Sequence, residues 1–235
     1  MTTHLYHHIA CQSHDPGVHH PESPDRLKSI VSRLSGKDFD DLVKMESPKS
    51  TLETLCLAHQ STYVESIFAS IPERRTQSLD SDTILSPGSG NAALRAVGGV
   101  CAAVDDVFNG LATNAFCASR PPGHHAEQSR AMGFCLFNSV AIAAKYAQKQ
   151  YGVEKVAVID FDVHHGNGTQ HMFEANPHLF YGSSHQFPAY PGTGAATEIG
   201  LGNIVNVPLQ PGSGSRAFRD AYIDIIFPKL IEFRP

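Results

Sequence analysis

An acidic and an imidazole side chain that follow a strand-like run could form half of a metal site. The run from Lys155 to Phe161 is apolar over several consecutive positions, which is typical of a buried parallel strand. Asp162 and His164 come next, and side chains two residues apart point to one face of an extended segment. A carboxylate and an imidazole that converge at a strand end are half of a zinc-type site. Asp160 lies two residues before Asp162, so its side chain would point to the same face, where it could orient a neighbouring metal ligand.

Helix capping by Asp162, with His164 filling a polar gap, is the alternative interpretation of this segment. The position at a strand end, the adjacent His165 and the Gly-x-Gly turn that follows favour a site instead.

A second candidate cluster is the tandem His124 and His125 in the motif RPPGHHA, residues 120–126. Proline and glycine give this loop a defined shape just after a predicted strand. Two adjacent imidazoles beside a metal could divide the work, one as general base and the other as electrostatic partner. The alternative is a solvated His-His pair on a surface loop. This alternative is less favoured because the His124/His125 cluster and the Asp162/His164 cluster both follow predicted strands.

Composition limits the classes of protein that this chain can belong to. Its 235 residues are 41% apolar and 17% charged, as in globular proteins, and its net charge of −5 without a basic run gives no support for nucleic-acid binding. The 14 histidines include four His-His pairs, which favours metal or proton chemistry. Five cysteines without a C-x-x-C pair, no secretory start and no uninterrupted apolar span predict a reduced, cytoplasmic protein that does not enter membranes.

Strand-like and helix-like segments alternate along the chain and predict an α/β fold, with helices flanking a mostly parallel central sheet. The predicted strands are Leu5–Ala10, Ala115–Ala118, Lys155–Phe161, Leu179–Ser183 and Ile204–Val207. The predicted helices are one that opens at Pro24, Ser61–Ile71, Ser89–Phe108, Asn138–Gln150 and Ser215–Glu232. Without a repeat or a linker-like stretch, the sequence predicts a single domain over residues 1–235.

Two further segments place an aromatic residue beside turn residues. These are Gly133-Phe134-Cys135 and the stretch from Tyr190 to Gly194. Facing aromatic rings could line a narrow channel for an alkyl chain, and ordinary core packing is the alternative.

Taken together, RPPGHHA, GFCLFN and DFDVHHGNGT resemble the zinc-dependent histone deacetylase and acetylpolyamine amidohydrolase family. The segments around His14 to Leu27 and Tyr181 to Gly194 are also similar, so the resemblance covers almost the whole chain. It implies the three-layer arginase/deacetylase-like α/β fold. It also implies hydrolysis of an N-acetyl amide, of the acetyl-lysine or acetylpolyamine type.

The resemblance implies a role for each matching residue. Asp162 and His164 match two zinc ligands, and His124 and His125 match the active-site histidines, with His125 as general base and acid. Gly133, Phe134 and Tyr190 match the lining of the substrate channel. The remaining matches are a rim carboxylate that grips the substrate (Asp80, with Asp82 as the alternative) and positions of a structural K⁺ site (Asp160 and Ser183).

Three departures from the family pattern stand out. Asn167 lies where some members have an Asp that pairs with the second histidine, so a carboxylate is absent there. Tyr190 replaces a common Phe, which adds a polar group to one channel wall. The chain ends at Pro235, before the family's last strands, which carry a third zinc ligand and a catalytic Tyr.

From this last departure we expect a fragment of a longer enzyme or a truncated product, which by itself binds zinc weakly and does not hydrolyse amides. A pseudo-enzyme or an acetyl-ligand binding module is therefore the alternative function. Arginase-like dinuclear manganese chemistry is disfavoured, since Gly166 stands where a further carboxylate would be needed.

Overall fold

A computed structural model describes all residues 1–235, and its helices alternate with strands that are parallel except for one short antiparallel pair. The strands are β1 Thr3–His7, β2 Leu42–Glu46, β3 Gln77–Ser78, β4 Ile84–Leu85, β5 Asn114–Cys117, β6 Val156–Asp160, β7 Leu179–Gln186 and β8 Ile204–Leu209. The α-helices are α1 Pro24–Leu34, α2 Leu52–Leu55, α3 Ser61–Ala69, α4 Ser89–Phe108, α5 Ser139–Tyr151, α6 Asn167–Phe173, α7 Ser215–Asp220 and α8 Phe227–Phe233. Parallel sheets flanked by helices confirm the predicted α/β class.

The chain forms two compact units, and the N-terminal unit is Met1–Tyr146. Its main sheet has the order β2-β1-β5 with all strands parallel, and Thr3 of β1 lies opposite Leu42 and Asn114. The core beside this sheet contains Leu5 of β1 and Leu27 of α1. Apolar residues of α1 recur at i, i+3, i+4 and i+7; of these Leu27 is buried, Val31 and Leu34 are partly buried against this core, and Ile30 is exposed.

The C-terminal unit is Ala147–Pro235, and its sheet has the order β6-β7-β8, again with all strands parallel. The central strand β7 is buried along nearly its whole length, as expected for a strand covered on both faces. Ile226 and Tyr222 from a π-helical segment, Ala221–Ile226, pack with Val207 of β8. None of the helices in the structure combines the length and the hydropathy needed to cross a membrane.

The structure moves several predicted boundaries. Strand β1 ends at His7, three residues early, because His8 caps a 3₁₀ turn over Ile9–Gln12 by accepting the Ala10 N–H. The predicted C-terminal helix is helical throughout but is interrupted by the π-helical segment. The short elements β2, β3, β4, α2 and α6 have no clear periodicity and were not predicted. The single-domain organisation stays a prediction.

Candidate active site

In the C-terminal unit, Asp162 and His164 lie in a bend that follows β6. The strand ends at Asp160, whose Oδ1 accepts the Asp162 N–H (3.1 Å), and Asp162 Oδ1 in turn accepts the His164 N–H (2.8 Å). Side-chain to backbone bonds two residues apart are typical of tight Asx turns. These turns bring the carboxylate and the imidazole together, so the predicted alternation of an extended segment is wrong here.

The two side chains are spaced as zinc ligands would be. Asp162 Oδ1 and His164 Nδ1 are 3.3 Å apart, and the side chains are 50% and 42% exposed. Zinc bonds of about 2.0–2.2 Å in a tetrahedral arrangement separate neighbouring ligand atoms by roughly 3.3–3.6 Å, so the pair fits such an ion. The structure contains no group of three His, Cys, Asp or Glu side chains that could hold a metal.

Tyr190 lies beside this pair on the loop that follows β7. Its ring centroid is 6.0 Å from that of His164 in an edge-to-face arrangement, and the residue is 39% exposed. The loop is fixed by Glu198, whose carboxylate accepts the N–H groups of Gly194 and Ala195 at 3.0–3.1 Å. Partial burial opposes ionisation of Glu198, but these bonds and one from Gln170 lower its pKa.

Asp160, Asn167 and Ser183 lie behind the bend. Asp160 and Ser183 are partners in the β6–β7 register, and Asp160 Oδ2 accepts a bond from Tyr181 Oη (3.0 Å). Ser183 Oγ is 3.0 Å from His185 Nδ1, and Asn167 is buried at the start of α6. Oxygen atoms on adjacent strands suit a hard monovalent cation, and the K⁺ site stays a prediction.

His165 belongs to a buried hydrogen-bond network under the Tyr190 loop. Its Nδ1 is 2.8 Å from Thr193 Oγ1 and its Nε2 is 2.8 Å from Gln170 Oε1. Burial, together with the neighbouring His185, lowers the pKa of His165 to about 4. A Cβ at Gly194 would lie 2.4 Å from His185 Nε2, so only glycine fits where this loop crosses the two rings.

Two cavities border β6 in the C-terminal unit. A cavity of about 210 Å³ includes Asp162 and His185 in its lining. A larger, mainly apolar cavity of about 930 Å³ is lined by Ile159, Phe161 and Tyr222, among others, and by none of the predicted site residues.

In the N-terminal unit, the tandem histidines lie on residues 119–138, a segment without helix or strand between β5 and α5. The ring centroids of His124 and His125 are 4.0 Å apart, and His125 is only 4% exposed. Gly133 lies against the second ring, since a Cβ there would be 2.4 Å from His125 Cδ2. The His125 ring is therefore packed against the backbone, which argues against the alternative of a solvated His-His pair on a surface loop.

Phe134 is held next to Gly133 in the left-handed region, with φ of 69°. Its N–H donates to Thr83 Oγ1 (3.2 Å), and the His20 ring packs edge-on against it at 4.9 Å. A non-glycine residue with positive φ is uncommon and needs such support. Phe134, His125 and Gly133 thus form one packed group.

Asp80 is linked to this group through Thr83, whose hydroxyl accepts the Phe134 N–H. Its Oδ1 accepts the N–H groups of Asp82 (3.0 Å) and Thr83 (2.6 Å), and Asp82 Oδ1 accepts the Thr83 hydroxyl (3.0 Å). Burial opposes ionisation of Asp80, but the hydrogen bonds lower its pKa. One Asp80 oxygen therefore stabilises the loop, and the choice between Asp80 and Asp82 as the rim carboxylate stays open.

Two buried charges, which the sequence did not predict, anchor the start of the tandem-His loop. Arg120 binds Glu22 through an ion pair that includes a 2.7 Å bond from Nε to Oε1, and its Nη1 donates to Cys11 O (3.0 Å). His14 lies beside them, and its burial and the Arg120 charge lower its pKa to about 3. A buried ion pair needs both partners, so Arg120 and Glu22 depend on each other. The motif letters RPPGHH and HPE contain both residues but do not reveal that they pair.

Comparisons with known proteins identify the family that this chain is similar to. The histone deacetylase domain model matches residues 20–235. The chain is 36% identical over its full length to a probable deacetylase of Archaeoglobus fulgidus and 39% identical over 92% of its length to a histone deacetylase-like amidohydrolase of Pseudomonas aeruginosa. The crystal structure of the HDA15 HD domain matches 88% of the chain with a TM-score of 0.83 and 37% identity. The chain spans 67% and 58% of the two relatives and 61% of the chain in that crystal structure.

Proposed function

The chain belongs to the histone deacetylase family, and from this membership we propose that the protein hydrolyses N-acetyl amides at a zinc ion held in part by Asp162 and His164. The observation that supports the proposal most directly is the 3.3 Å spacing of Asp162 Oδ1 and His164 Nδ1. Zinc, when bound, supplies Lewis-acid polarisation of the acetyl carbonyl and activates water at neutral pH.

In this proposal the tandem histidines handle the protons. His125 Nε2 or Nδ1 accepts a proton from the attacking water and later protonates the departing amine. His124, whose ring is 4.0 Å from that of His125, stabilises the charge that develops at the carbonyl.

Further residues that match the family pattern would bind the substrate. Phe134 and Tyr190 provide aromatic walls for an alkyl chain that ends in an acetyl amide, and the Tyr190 hydroxyl adds a polar group to its wall. Asp80 or Asp82 provides a carboxylate for the backbone or an amine of the substrate. The proposed substrates are therefore acetyl-lysine peptides and acetylated polyamines, with a structural K⁺ at Asp160 and Ser183.

The test uses the full-length protein, a panel of acetyl-lysine peptides and acetylpolyamines, and metal analysis. We expect His125→Ala to lower kcat by about 10²–10⁴-fold, the usual contribution of a general base, while the zinc content stays unchanged. Asp162→Asn should lower the zinc content and the activity together, because it replaces a charged ligand by a neutral one. His178→Ala, at a half-exposed histidine in the same unit, is the control and should change neither.

Retained activity in His125→Ala would overturn the assignment of the general base. Tight binding of an acetylated probe without any turnover by the wild-type protein would instead support the acetyl-ligand binding module. No binding and no turnover with any acetyl amide would contradict both functions.

A further inference from the structure

Residues 119–138 carry four of the proposed site residues but contain no helix or strand. A segment of this length inside a folded unit needs defined partners for its backbone polar groups. Arg120 anchors its beginning, as described above. Besides the Phe134 bond to Thr83, further anchors lie at the junction of α2 and α3, far away in the sequence.

His59, just before α3, bridges two points of this segment with its two ring nitrogens. Nε2 accepts the Asn138 N–H (2.8 Å), and Nδ1 is 3.0 Å from Glu127 O. Because a backbone N–H can only donate and a carbonyl can only accept, the ring must carry its proton on Nδ1 and be neutral. Each nitrogen therefore has one fixed role.

The bridge extends to the residues beside His125. Asn138 is fully buried, and its Nδ2 donates to the carbonyl of Ala126 (3.4 Å), the residue after His125. Its Oδ1 accepts the Ala141 N–H (3.1 Å) and caps α5. The His59 ring thus connects both arms of the loop to a helix end.

Neighbours of His59 reinforce the same two arms. The Gln60 N–H donates to Gln128 O (3.0 Å), and Tyr63 Oη donates to Leu136 O (2.6 Å). The rings of Tyr63 and Phe137 both lie 5.4 Å from the His59 ring. This apolar packing buries His59 to 3% exposure and lowers its pKa to about 4, so the ring stays neutral at physiological pH.

We propose that His59 is a positioning residue for the tandem histidines. By fixing the carbonyl of Glu127 and the N–H of Asn138 at once, it holds the arms that place the His125 ring against Gly133. Its consequence for turnover rests on the function proposed above, whereas its effect on the loop does not.

The test compares His59→Phe with His59→Gln in the full-length protein. Phe keeps a ring but loses both hydrogen bonds, while Gln keeps one donor and one acceptor. We expect His59→Phe to lower kcat at least tenfold with KM and zinc content within twofold of wild type, and His59→Gln to recover part of that loss. Amide hydrogen exchange in residues 119–138 should rise in the Phe variant and less in the Gln variant, while exchange in α4 stays constant.

Tyr63→Phe provides a milder second variant, since it removes one hydrogen bond to the same loop. It should raise exchange in residues 134–138 even if His59→Phe does not fold. Unchanged exchange in residues 119–138 in the folded variants would overturn the inference, as would a loss of activity that follows only zinc content. The two proposals can fail separately. If the wild-type protein had no hydrolase activity but exchange in residues 119–138 still rose in these variants, the proposed function would be contradicted and the positioning role would remain supported.

Discussion

At the scale of single residues, Gly133 is the position where the backbone and the proposed base depend on each other most directly. Its φ is 57°, and an added Cβ would lie 2.4 Å from Cδ2 and 2.7 Å from Cγ of the His125 ring. We predict that Gly133→Ala displaces this ring and lowers kcat at least tenfold, because a general base must stay within hydrogen-bond reach of its proton. Steady-state kinetics with zinc analysis of the full-length protein would measure this.

A matched control separates backbone strain from the contact with His125. Gly110 also has a positive φ, 71°, but a Cβ there meets nothing within 4 Å. Gly110→Ala should carry only the left-handed penalty of about 1–2 kcal/mol and leave kcat unchanged. Equal kinetics for the two variants would mean that Gly133 does not constrain the ring.

The residues of the proposed site were predictable from sequence to different degrees. Asp162, His164 and the tandem histidines follow strands, so their type and position already indicated chemistry. The contact between Asp162 and His164 nevertheless arises from turn hydrogen bonds that alternation does not describe. His59 had no local signal, because its partners Glu127 and Asn138 are 68 and 79 residues away.

At the scale of elements, α4 shows packing that overrides helix propensity. A Cβ at Gly98 would lie 2.0 Å from the carbonyl oxygen of Pro48, so this helix approaches the 47–50 segment at a glycine. Propensity alone favours Ala over Gly within a helix by about 1 kcal/mol. We predict the opposite sign, a loss of about 1–3 kcal/mol in the free energy of unfolding for Gly98→Ala, as for overpacked cores.

Urea unfolding of Gly98→Ala beside Asn91→Ala would test this sign. Asn91 is an exposed residue of the same helix, so its replacement should be neutral or slightly stabilising. A stabilised Gly98→Ala would show that α4 moves away from Pro48 at little cost.

The elements that the sequence predicted well are those with strong, local patterns. The predicted and observed bounds of α4 are the same, because a long amphipathic run with a clear end defines them. Strands β7 and β8 extend beyond their predicted ends, since the polar His185 and Gln186 at the end of β7 pair in register with Pro208 and Leu209 at the end of β8. The short β3–β4 pair has only two residues in each strand, which is too few for a period to be visible.

At the scale of the whole molecule, buried neutral histidines make stability depend on pH. Burial lowers the pKa of His59 to about 4, and burial with the Arg120 charge lowers that of His14 to about 3. In the unfolded chain both would titrate near 6.5, so below that pH the unfolded state binds more protons than the folded state. The free energy of unfolding therefore falls as the pH drops below 6.5, and each histidine stops contributing to the fall below its folded pKa.

Between pH 7 and pH 5 each of these histidines should remove about 2 kcal/mol from the free energy of unfolding. Urea unfolding at pH 7, 6 and 5 would measure the slope, and His59→Gln should reduce it because an amide does not titrate. If His59→Gln kept the full acid sensitivity of the wild type, the His59 ring would have to be protonated in the folded protein at these pH values. That result would contradict the neutral ring that its hydrogen bonds to Asn138 and Glu127 require.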